Sequence, residues 1–146
     1  PVELKDARGD ALRSRGNEYG ATTGRPRRCG WLDLVGVRFA ARLNGVDCVA
    51  LTKLDVLTGE PEIPVCVGYR LDGQRIDTVP ARWEDIERIE PVWEKLPGWQ
   101  EDIRHCKRFE QLPAAAQAYV RFIDQRGGVP VRWIGTGPGR DEIIVR

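Results

Sequence analysis

The 146-residue sequence contains no methionine and only one histidine, His105. Since the chain also begins with proline, we expect a processed product or a piece of a larger protein. His105 lies in a charged stretch that matches no motif, so we interpret it as a solvated side chain rather than a general base. The phosphate-binding pattern G-x-x-x-x-G-K-[ST] is also absent, and no two carboxylates stand out as an acid–base couple.

Cysteine is scarce and widely spaced, which argues against a metal site and against a disulfide framework. No C-x-x-C pair occurs, and the lone histidine lies beside only one of the four cysteines, so a zinc site is not indicated. Cys48 and Cys66 lie in apolar runs that predict buried free thiols. This usage favours a reducing compartment, and we expect a cytoplasmic protein.

Neither a strong net charge nor a long apolar segment is present. The formal net charge is +1, so no global attraction to nucleic acid or to a membrane surface is expected. No stretch resembles a signal peptide or a membrane span. Hydrophobic residues make up 41% and charged residues 31% of the chain, as in ordinary globular proteins. The length favours a single unit over residues 1–146.

The hydrophobic pattern predicts alternating helices and strands. We predict helices over 34–45 and 112–125, strands over 48–52, 63–70, 76–79, 86–94, 129–134 and 142–145, and a short helix or open loop within 1–19. The continuous apolar run at 48–52 is typical of a strand buried on both faces, and Asp72-Gly73 favours a hairpin turn. The predicted fold class is therefore α/β, with part of a mainly parallel central sheet flanked by helices and an added antiparallel hairpin.

Aromatic residues form no cluster of their own in the sequence. We expect core packing for all five tryptophans, Trp31, Trp83, Trp93, Trp99 and Trp133.

The stretch from Gly20 to Arg28, with the sequence GATTGRPRR, is the most distinctive in the chain. It contains two glycines, two threonines and three arginines but no acidic residue. Glycine lets the backbone approach a ligand closely, and arginine matches carboxylate or phosphate with paired hydrogen bonds. We call Gly20–Arg28 the anion loop, because this composition predicts an anion-binding site.

Lys53 and Asp55 follow directly after the predicted strand at 48–52. Ligands of α/β sheets bind at the carboxyl ends of strands, and a carboxylate can accept hydrogen bonds from both N1–H and the amino group of guanine. Adenine lacks that pair of donors, so such a site could reject the wrong base by roughly 10⁴–10⁵. The lysine stem could lie along the base. A salt-bridged strand end is the simpler interpretation of this spacing taken alone.

A second glycine-rich segment, Gly135-Thr136-Gly137, also follows a predicted strand. Two glycines open the backbone to a base or a phosphate, and the threonine hydroxyl could bond to a carbonyl or a ring nitrogen. An ordinary tight turn explains the triplet equally well when it is considered alone.

Four segments occur together and closely resemble adenylosuccinate synthetase. The resemblance follows the family's order over nearly the whole chain, but it covers only the C-terminal portion of that enzyme, very roughly its last third. The first two segments are highly specific and the other two are weak alone. They are GNEYGATTGRPRRCGWLD at 16–33, LTKLDVL at 51–57, LPGW at 96–99 and GTGPGR at 135–140.

The resemblance implies a ligase that joins IMP to L-aspartate with GTP and Mg²⁺ in purine biosynthesis. It implies that residues of the anion loop bind aspartate, namely Ala21, Thr22, Thr23, Gly24, Arg25, Pro26 and Arg27. Arg25 would also reach IMP, and Arg27 would bridge aspartate and GTP. The implied GTP-binding residues are Arg27, Lys53, Leu54, Asp55, Gly135, Thr136 and Gly137. Gly135 stands where the family often has serine, so only its backbone could act.

The resemblance also implies what this chain does not contain. The family's catalytic aspartate and histidine, its glycine-rich phosphate loop and its Mg²⁺ site lie in the N-terminal part of the enzyme. We therefore expect no catalytic residue and no metal ligand in this chain, and no activity from the chain alone. Family enzymes are homodimers, so we expect the full-length protein to be one.

Two other functions remain open at this stage. One is a guanine-nucleotide binding module that performs no chemistry. The other is binding to A·T-rich DNA, because Gly24-Arg25-Pro26-Arg27 resembles the core of an AT-hook. Such hooks usually lie in disordered basic tails, whereas this segment is followed at once by a tryptophan and a predicted helix, so we expect no nucleic-acid partner. A purely structural role for every motif is opposed by their co-occurrence.

Overall fold

A computed structural model describes all residues, 1–146, and confirms the α/β class. The chain forms four α-helices, seven strands and two single-turn helices. The helices are α1 (Ala7–Arg15), α2 (Leu34–Asn44), α3 (Trp83–Arg88) and α4 (Ala114–Gly127), with single turns at Leu54–Leu57 and Phe109–Gln111. The strands are β1 (Leu32–Asp33), β2 (Val49–Leu51), β3 (Glu62–Leu71), β4 (Gln74–Ile76), β5 (Glu90–Pro97), β6 (Val131–Gly135) and β7 (Ile143–Val145).

The strands divide between two sheets rather than forming one central sheet. In the first, β3 pairs in parallel with β1 and antiparallel with β4 and β5. In the second, β2 pairs in parallel with β6, which pairs antiparallel with β7. Each sheet thus contains one parallel pair, and the β3–β4 hairpin turns at Asp72-Gly73 as expected. The predicted mixture of parallel strands, helices and an antiparallel hairpin is confirmed, although antiparallel pairs are the more numerous.

Capping residues mark the ends of the two longest helices, although α4 lies two residues further along the chain, at 114–127, than the predicted 112–125. The Asp33 carboxylate accepts hydrogen bonds from the N–H groups of Val35 and Gly36, and so caps the start of α2. Gly45 ends this helix in the left-handed conformation, with φ at 60°. Gly128 ends α4 in the same way, with φ at 77°. Because such conformations strain other residues, glycine specifies both ends.

The prediction of one strand over 86–94 is wrong in its first half. Residues 83–88 form α3, whose first turn is acidic and whose Arg88 pairs with Asp85 one turn earlier. The strand begins only at Glu90 and continues through Pro91 to Pro97. Pro91 is tolerated because β5 has β3 as its sole partner, which leaves its other edge unpaired.

Burial also differs from expectation at the edges of the fold. The prediction that β2 is buried on both faces is wrong: Ala50 is exposed, and Cys48, just before the strand, is half-buried. Cys66 is buried, as predicted. Trp31 and Trp99 pack in the core, but the other three tryptophans, Trp83, Trp93 and Trp133, are exposed.

A cluster of 18 buried residues forms the main core and connects the two sheets. β3 contributes Ile63 and Val65, the second sheet contributes Ile134 and Ile144, and α4 contributes Val120. Burial of each such side chain stabilises the fold by roughly 1.5–3 kcal/mol. The core thereby fixes β2 and β6, and with them the segments that follow these strands. None of the helices is both long and apolar enough to cross a bilayer.

Candidate functional site

The anion loop forms a tight hairpin on the surface of the molecule. Tyr19 and Pro26 face each other as an antiparallel bridge, and the Gly20 N–H donates to the Arg25 carbonyl at 2.8 Å. The Gly24 N–H donates to the Gly20 carbonyl, also at 2.8 Å, with Gly24 at a φ of 64°. A left-handed residue is needed to close this turn, and glycine adopts that conformation without strain. Residues 21–28 are all exposed, so their donors can meet a ligand.

The hairpin is anchored to the rest of the chain at its base. Arg13, in the last turn of α1, donates from Nε to the Arg27 carbonyl at 2.7 Å. The N–H of Leu4 donates to the carbonyl of Cys29 at 2.9 Å. The loop is thus a folded element, in contrast to the disordered tails that usually carry AT-hooks, and this observation argues against the DNA-binding alternative.

The three arginines of the anion loop differ in their ion pairs. Arg27 Nη1 lies 2.8 Å from the carboxylate of Glu18, and Arg28 Nη1 lies 3.7 Å from that of Glu3. Arg25 makes no ion pair with an acidic side chain. The loop itself contains no acid and no acidic side chain pairs with Arg25, but the hairpin brings Glu18 opposite Arg27, and Glu3 lies near Arg28.

A shallow cavity of about 420 Å³ opens beside the hairpin. Its lining includes Gly20, Thr23, Arg25, Pro26 and Arg27. The Thr23 hydroxyl accepts from the Arg25 N–H at 3.3 Å, so its own proton remains available to a ligand. Guanidinium and hydroxyl donors without a carboxylate beside Arg25 suit a small anion that bears one or more carboxylates.

A second cavity of about 480 Å³ lies where β2 and β6 end. Its lining includes Lys53, Asp55, Gly135 and Gly137, together with Glu142. We call it the base pocket. The two segments meet because β2 and β6 run in parallel, with Leu51 opposite Ile134, so their carboxyl ends lie at the same edge. The structure thus brings together the lysine–aspartate pair and the glycine-rich turn that the sequence singles out separately.

Asp55 is the half-buried carboxylate of the base pocket. Burial raises its pKa above the ordinary value for aspartate, and the nearby Glu142 carboxylate acts in the same direction. Lys53 and hydrogen bonds from backbone N–H groups oppose these effects. A desolvated carboxylate bonds strongly to N–H donors, so the position suits recognition of a planar base that presents two such donors.

Lys53 adopts the left-handed conformation, with φ at 62°. This backbone is rare for a residue with a side chain and is typical of functional sites. Its ammonium donates to the Gly16 carbonyl and lies 3.0 Å from the Glu18 carboxylate. The charged end of Lys53 is thus neutralised within the chain.

Two predicted site residues turn their side chains into the protein. Leu54 is 1% exposed and belongs to the main core. Thr136 is fully buried, does not line the base pocket, and its Oγ1 has no hydrogen-bond partner. The expected bond from its hydroxyl to a ligand has no support in this geometry. Any contact at these two positions would come from the backbone.

Two residues near these cavities, Glu142 and Glu18, have no role that the sequence motifs predict. The Glu142 carboxylate accepts from the Gly139 N–H at 2.6 Å and folds beneath the turn, where a Cβ on Gly137 would lie 2.5 Å from it. A Cβ at position 137 would therefore displace the end of the Glu142 side chain. Glu18 contacts both Arg27 and Lys53. Nothing in the sequence signals these contacts, because they form only when the hairpin brings residue 18 beside residue 27.

A third and larger cavity, of about 660 Å³, lies between the base of the hairpin, α2 and β2. Trp31, Asp33 and Thr52 line it with mainly apolar neighbours.

No group of three or more His, Cys, Asp or Glu side chains in the chain lies close enough to hold a metal ion. The residues present therefore do not fit a metal site.

Comparisons with known proteins give one consistent answer. A family model described as adenylosuccinate synthetase matches residues 1–144. The chain is 54% identical to the adenylosuccinate synthetase of Acidothermus cellulolyticus, over 99% of this chain and 34% of that protein. It is also 54% identical to that of Streptomyces coelicolor, with the same coverage.

A solved structure agrees with the sequence relatives. It is described as fully ligated adenylosuccinate synthetase from Plasmodium falciparum, with a TM-score of 0.95 and 43% identity to this chain. The match covers 99% of this chain and 35% of that one. The chain therefore spans about a third of the length of the proteins it matches.

Proposed function

The chain belongs to the adenylosuccinate synthetase family, and we propose that it supplies the C-terminal part of a GTP-dependent ligase. The reaction joins IMP and L-aspartate to give adenylosuccinate, GDP and phosphate, in the pathway to AMP. In this proposal the γ-phosphoryl group passes from GTP to the 6-oxygen of IMP. The aspartate amine then displaces phosphate, so that a C–N bond replaces the C–O bond.

The single observation that carries the proposal is the composition of the base pocket. Asp55 comes from one part of the sequence and Gly135 and Gly137 from another, and the three line one cavity. We propose that the Asp55 carboxylate accepts hydrogen bonds from N1–H and the amino group of guanine. Lys53 would lie along the base, and the backbone of Leu54, Gly135, Thr136 and Gly137 would complete the pocket.

We further propose that the anion loop binds aspartate. Arg25 has no acidic partner, so its guanidinium is free to pair with a substrate carboxylate and to reach IMP. The hydroxyls of Thr22 and Thr23 would add donors, while the backbone from Ala21 to Pro26 would shape the site. Arg27 would bridge aspartate and GTP with the donors that Glu18 does not use.

In this proposal the catalytic steps depend on residues in the rest of the enzyme. No metal-binding cluster occurs in this chain, so Mg²⁺ and the phosphate groups of GTP would be bound by the part that the relatives have in addition. The catalytic acid–base groups would lie there too, and we propose that this chain alone is inactive. We also propose that the full-length protein is a homodimer. A cytoplasmic location is in keeping with the four unpaired cysteines.

A chimeric enzyme tests the proposal. This chain would replace the matching 34% of the Streptomyces coelicolor relative, with which it is 54% identical. We expect adenylosuccinate to form only when GTP, IMP, aspartate and Mg²⁺ are all present. A folded chimera that forms no adenylosuccinate would overturn the proposal; the unaltered relative serves as the control.

The second candidate is a guanine-nucleotide binding module without catalysis. It is favoured by one observation, namely that residues of this chain, from the end of β2 and from the turn after β6, line a cavity of about 480 Å³. Calorimetric titration of the isolated chain with GDP, and with ADP as the control, would test it. Binding of GDP but not ADP, combined with an inactive chimera, would support this candidate over the ligase.

A further inference from the structure

The carboxylate of Glu18 joins the anion loop to the base pocket. We propose that Glu18 is a positioning residue that holds Arg27 and Lys53 in place and so couples aspartate binding to guanine-nucleotide binding. The inference rests on the proposed function and assigns a role to a residue that lies in the 16–33 segment but was given no part in either site.

The two oxygens of Glu18 have separate partners. Oε2 accepts from Arg27 Nη1 at 2.8 Å, and Oε1 lies 3.0 Å from Lys53 Nζ. The bonds to these two cations hold the pKa of the Glu18 carboxyl below its ordinary value, so that it stays ionised at neutral pH. One carboxylate therefore fixes one cation of each proposed site.

The backbone of Glu18 is itself held on both sides. Its N–H donates to the Arg13 carbonyl at 2.9 Å, which ties it to the end of α1. Its carbonyl accepts from the Arg27 N–H at 3.0 Å, which closes the base of the hairpin. Because Glu18 is tethered to both elements, a shift of the hairpin would move the carboxylate and, with it, Lys53.

Both cations keep donors for a ligand while they contact Glu18. A guanidinium has five N–H donors, and Arg27 gives one of them to Glu18. An ammonium has three, and Lys53 directs one to the Gly16 carbonyl and one toward Glu18. Ligands can therefore bind without breaking these pairs, so Glu18 orients the cations and does not compete with substrate.

The expected size of the effect follows from exposure. The side chains of Arg27 and Lys53 are 57% and 50% exposed, so each pair resembles a surface ion pair. Loss of such a pair corresponds to about a two- to fivefold change in an equilibrium constant. We therefore expect Glu18→Gln to raise the KM for aspartate and the KM for GTP by about two- to fivefold each, with kcat nearly unchanged.

The test uses the chimeric enzyme with Glu18→Gln and, as the matched control, Glu3→Gln. The control likewise replaces a carboxylate by an amide, in the exposed ion pair between Glu3 and Arg28. GDP affinity would be measured in both variants with and without succinate, a dicarboxylate that stands in for aspartate. In the parent chimera we expect succinate to change the dissociation constant of GDP; in Glu18→Gln that change should disappear, and in Glu3→Gln it should persist.

Each outcome decides the matter. A lower kcat with both KM values unchanged would mean a purely structural role, and a change in only one KM would mean a local one; either overturns the proposal. A fall in either KM would show that Glu18 competes with substrate. If Glu18→Gln does not fold, Glu18→Asp is measured instead: it keeps the charge but cannot reach both cations, so the effect of succinate on the dissociation constant of GDP should again disappear, and its persistence would overturn the proposal. An inactive parent chimera would overturn the proposed function and this inference with it.

Discussion

Replacement of Tyr69 by phenylalanine isolates the contribution of a single buried hydrogen bond. The Tyr69 hydroxyl donates to Asp33 Oδ2 at 2.5 Å, while Oδ1 of the same carboxylate caps α2. Burial raises the pKa of Tyr69, and the bond to Asp33 raises it further. The phenol thus stays protonated and serves as a donor to the Asp33 carboxylate.

The magnitude follows from the type of bond. A hydrogen bond to a charged group contributes about 1.5–3 kcal/mol, and removal of the donor leaves the carboxylate partly unpaired in a buried site. We therefore expect Tyr69→Phe to lower the free energy of unfolding by about 1.5–3 kcal/mol. This is a large part of the 5–15 kcal/mol that is typical of a domain.

Tyr119→Phe is the matched control. Tyr119 is 3% exposed, compared with 2% for Tyr69, and its ring packs against that of Trp99. Burial alone raises its pKa, without a carboxylate partner. Urea unfolding of both variants of this chain would be followed by tryptophan fluorescence. A loss of stability in Tyr69→Phe that is no greater than in Tyr119→Phe would refute the reasoning.

Four other predictions follow from particular residues. Arg25→Leu in the chimera should raise the KM for aspartate by about 10- to 100-fold, whereas Arg28→Leu should not, and steady-state kinetics with varied aspartate would compare them. Gly98→Ala should lower the free energy of unfolding by about 1–3 kcal/mol, because its Cβ would lie 1.8 Å from the Glu60 carbonyl oxygen; Gly36→Ala, whose Cβ meets nothing closer than 3.6 Å, should not lower it in urea unfolding. At pH 8 iodoacetamide should label Cys29 and Cys48 in peptide mass spectra before Cys66, since burial raises the pKa of Cys66 to about 11. Above about pH 10 the unfolded state should lose tyrosine protons that the native state keeps, because the pKa values of Tyr69 and Tyr119 are raised; stability should then fall with rising pH, and Tyr69→Phe should flatten that slope by about 1.4 kcal/mol per pH unit in alkaline unfolding titrations.

Local signals predicted much of the fold. Asp33 and Gly45 delimit α2 because a side-chain cap and a left-handed glycine act within one turn of the chain. The hairpin at Asp72-Gly73 likewise depends on the two residues of its turn. Such features depend on neighbours in sequence, so they are visible without knowledge of the tertiary structure.

Features that depend on distant partners were harder to predict. The helix at 83–88 is an exception, since its acidic first turn and its Asp85–Arg88 pair are local signals that favour a helix. Burial of β2 could not be deduced, because it depends on which strands lie beside it. The exposed tryptophans were missed for the same reason.

In the candidate site, too, local features could be predicted and contacts between distant residues could not. The sequence located the anion loop and both halves of the base pocket, since each has a distinctive local composition. It could not show that Thr136 points into the protein or that Glu18 faces Arg27, because side-chain direction is set by tertiary packing. The pairing of Glu18 with two cations depends on residues 9 and 35 positions further along the chain, at 27 and 53.

The central claim is that Asp55 reads a guanine base, and exchange of Asp55 for asparagine tests it most directly. In xanthine a carbonyl replaces the 2-amino group of guanine, so the asparagine amide could donate to it while its oxygen accepts from N1–H. In the chimera, Asp55→Asn should lower kcat/KM for GTP by roughly a hundredfold or more and make xanthosine triphosphate the better substrate. Equal kcat/KM ratios for the two nucleotides in the parent and in Asp55→Asn would contradict the account.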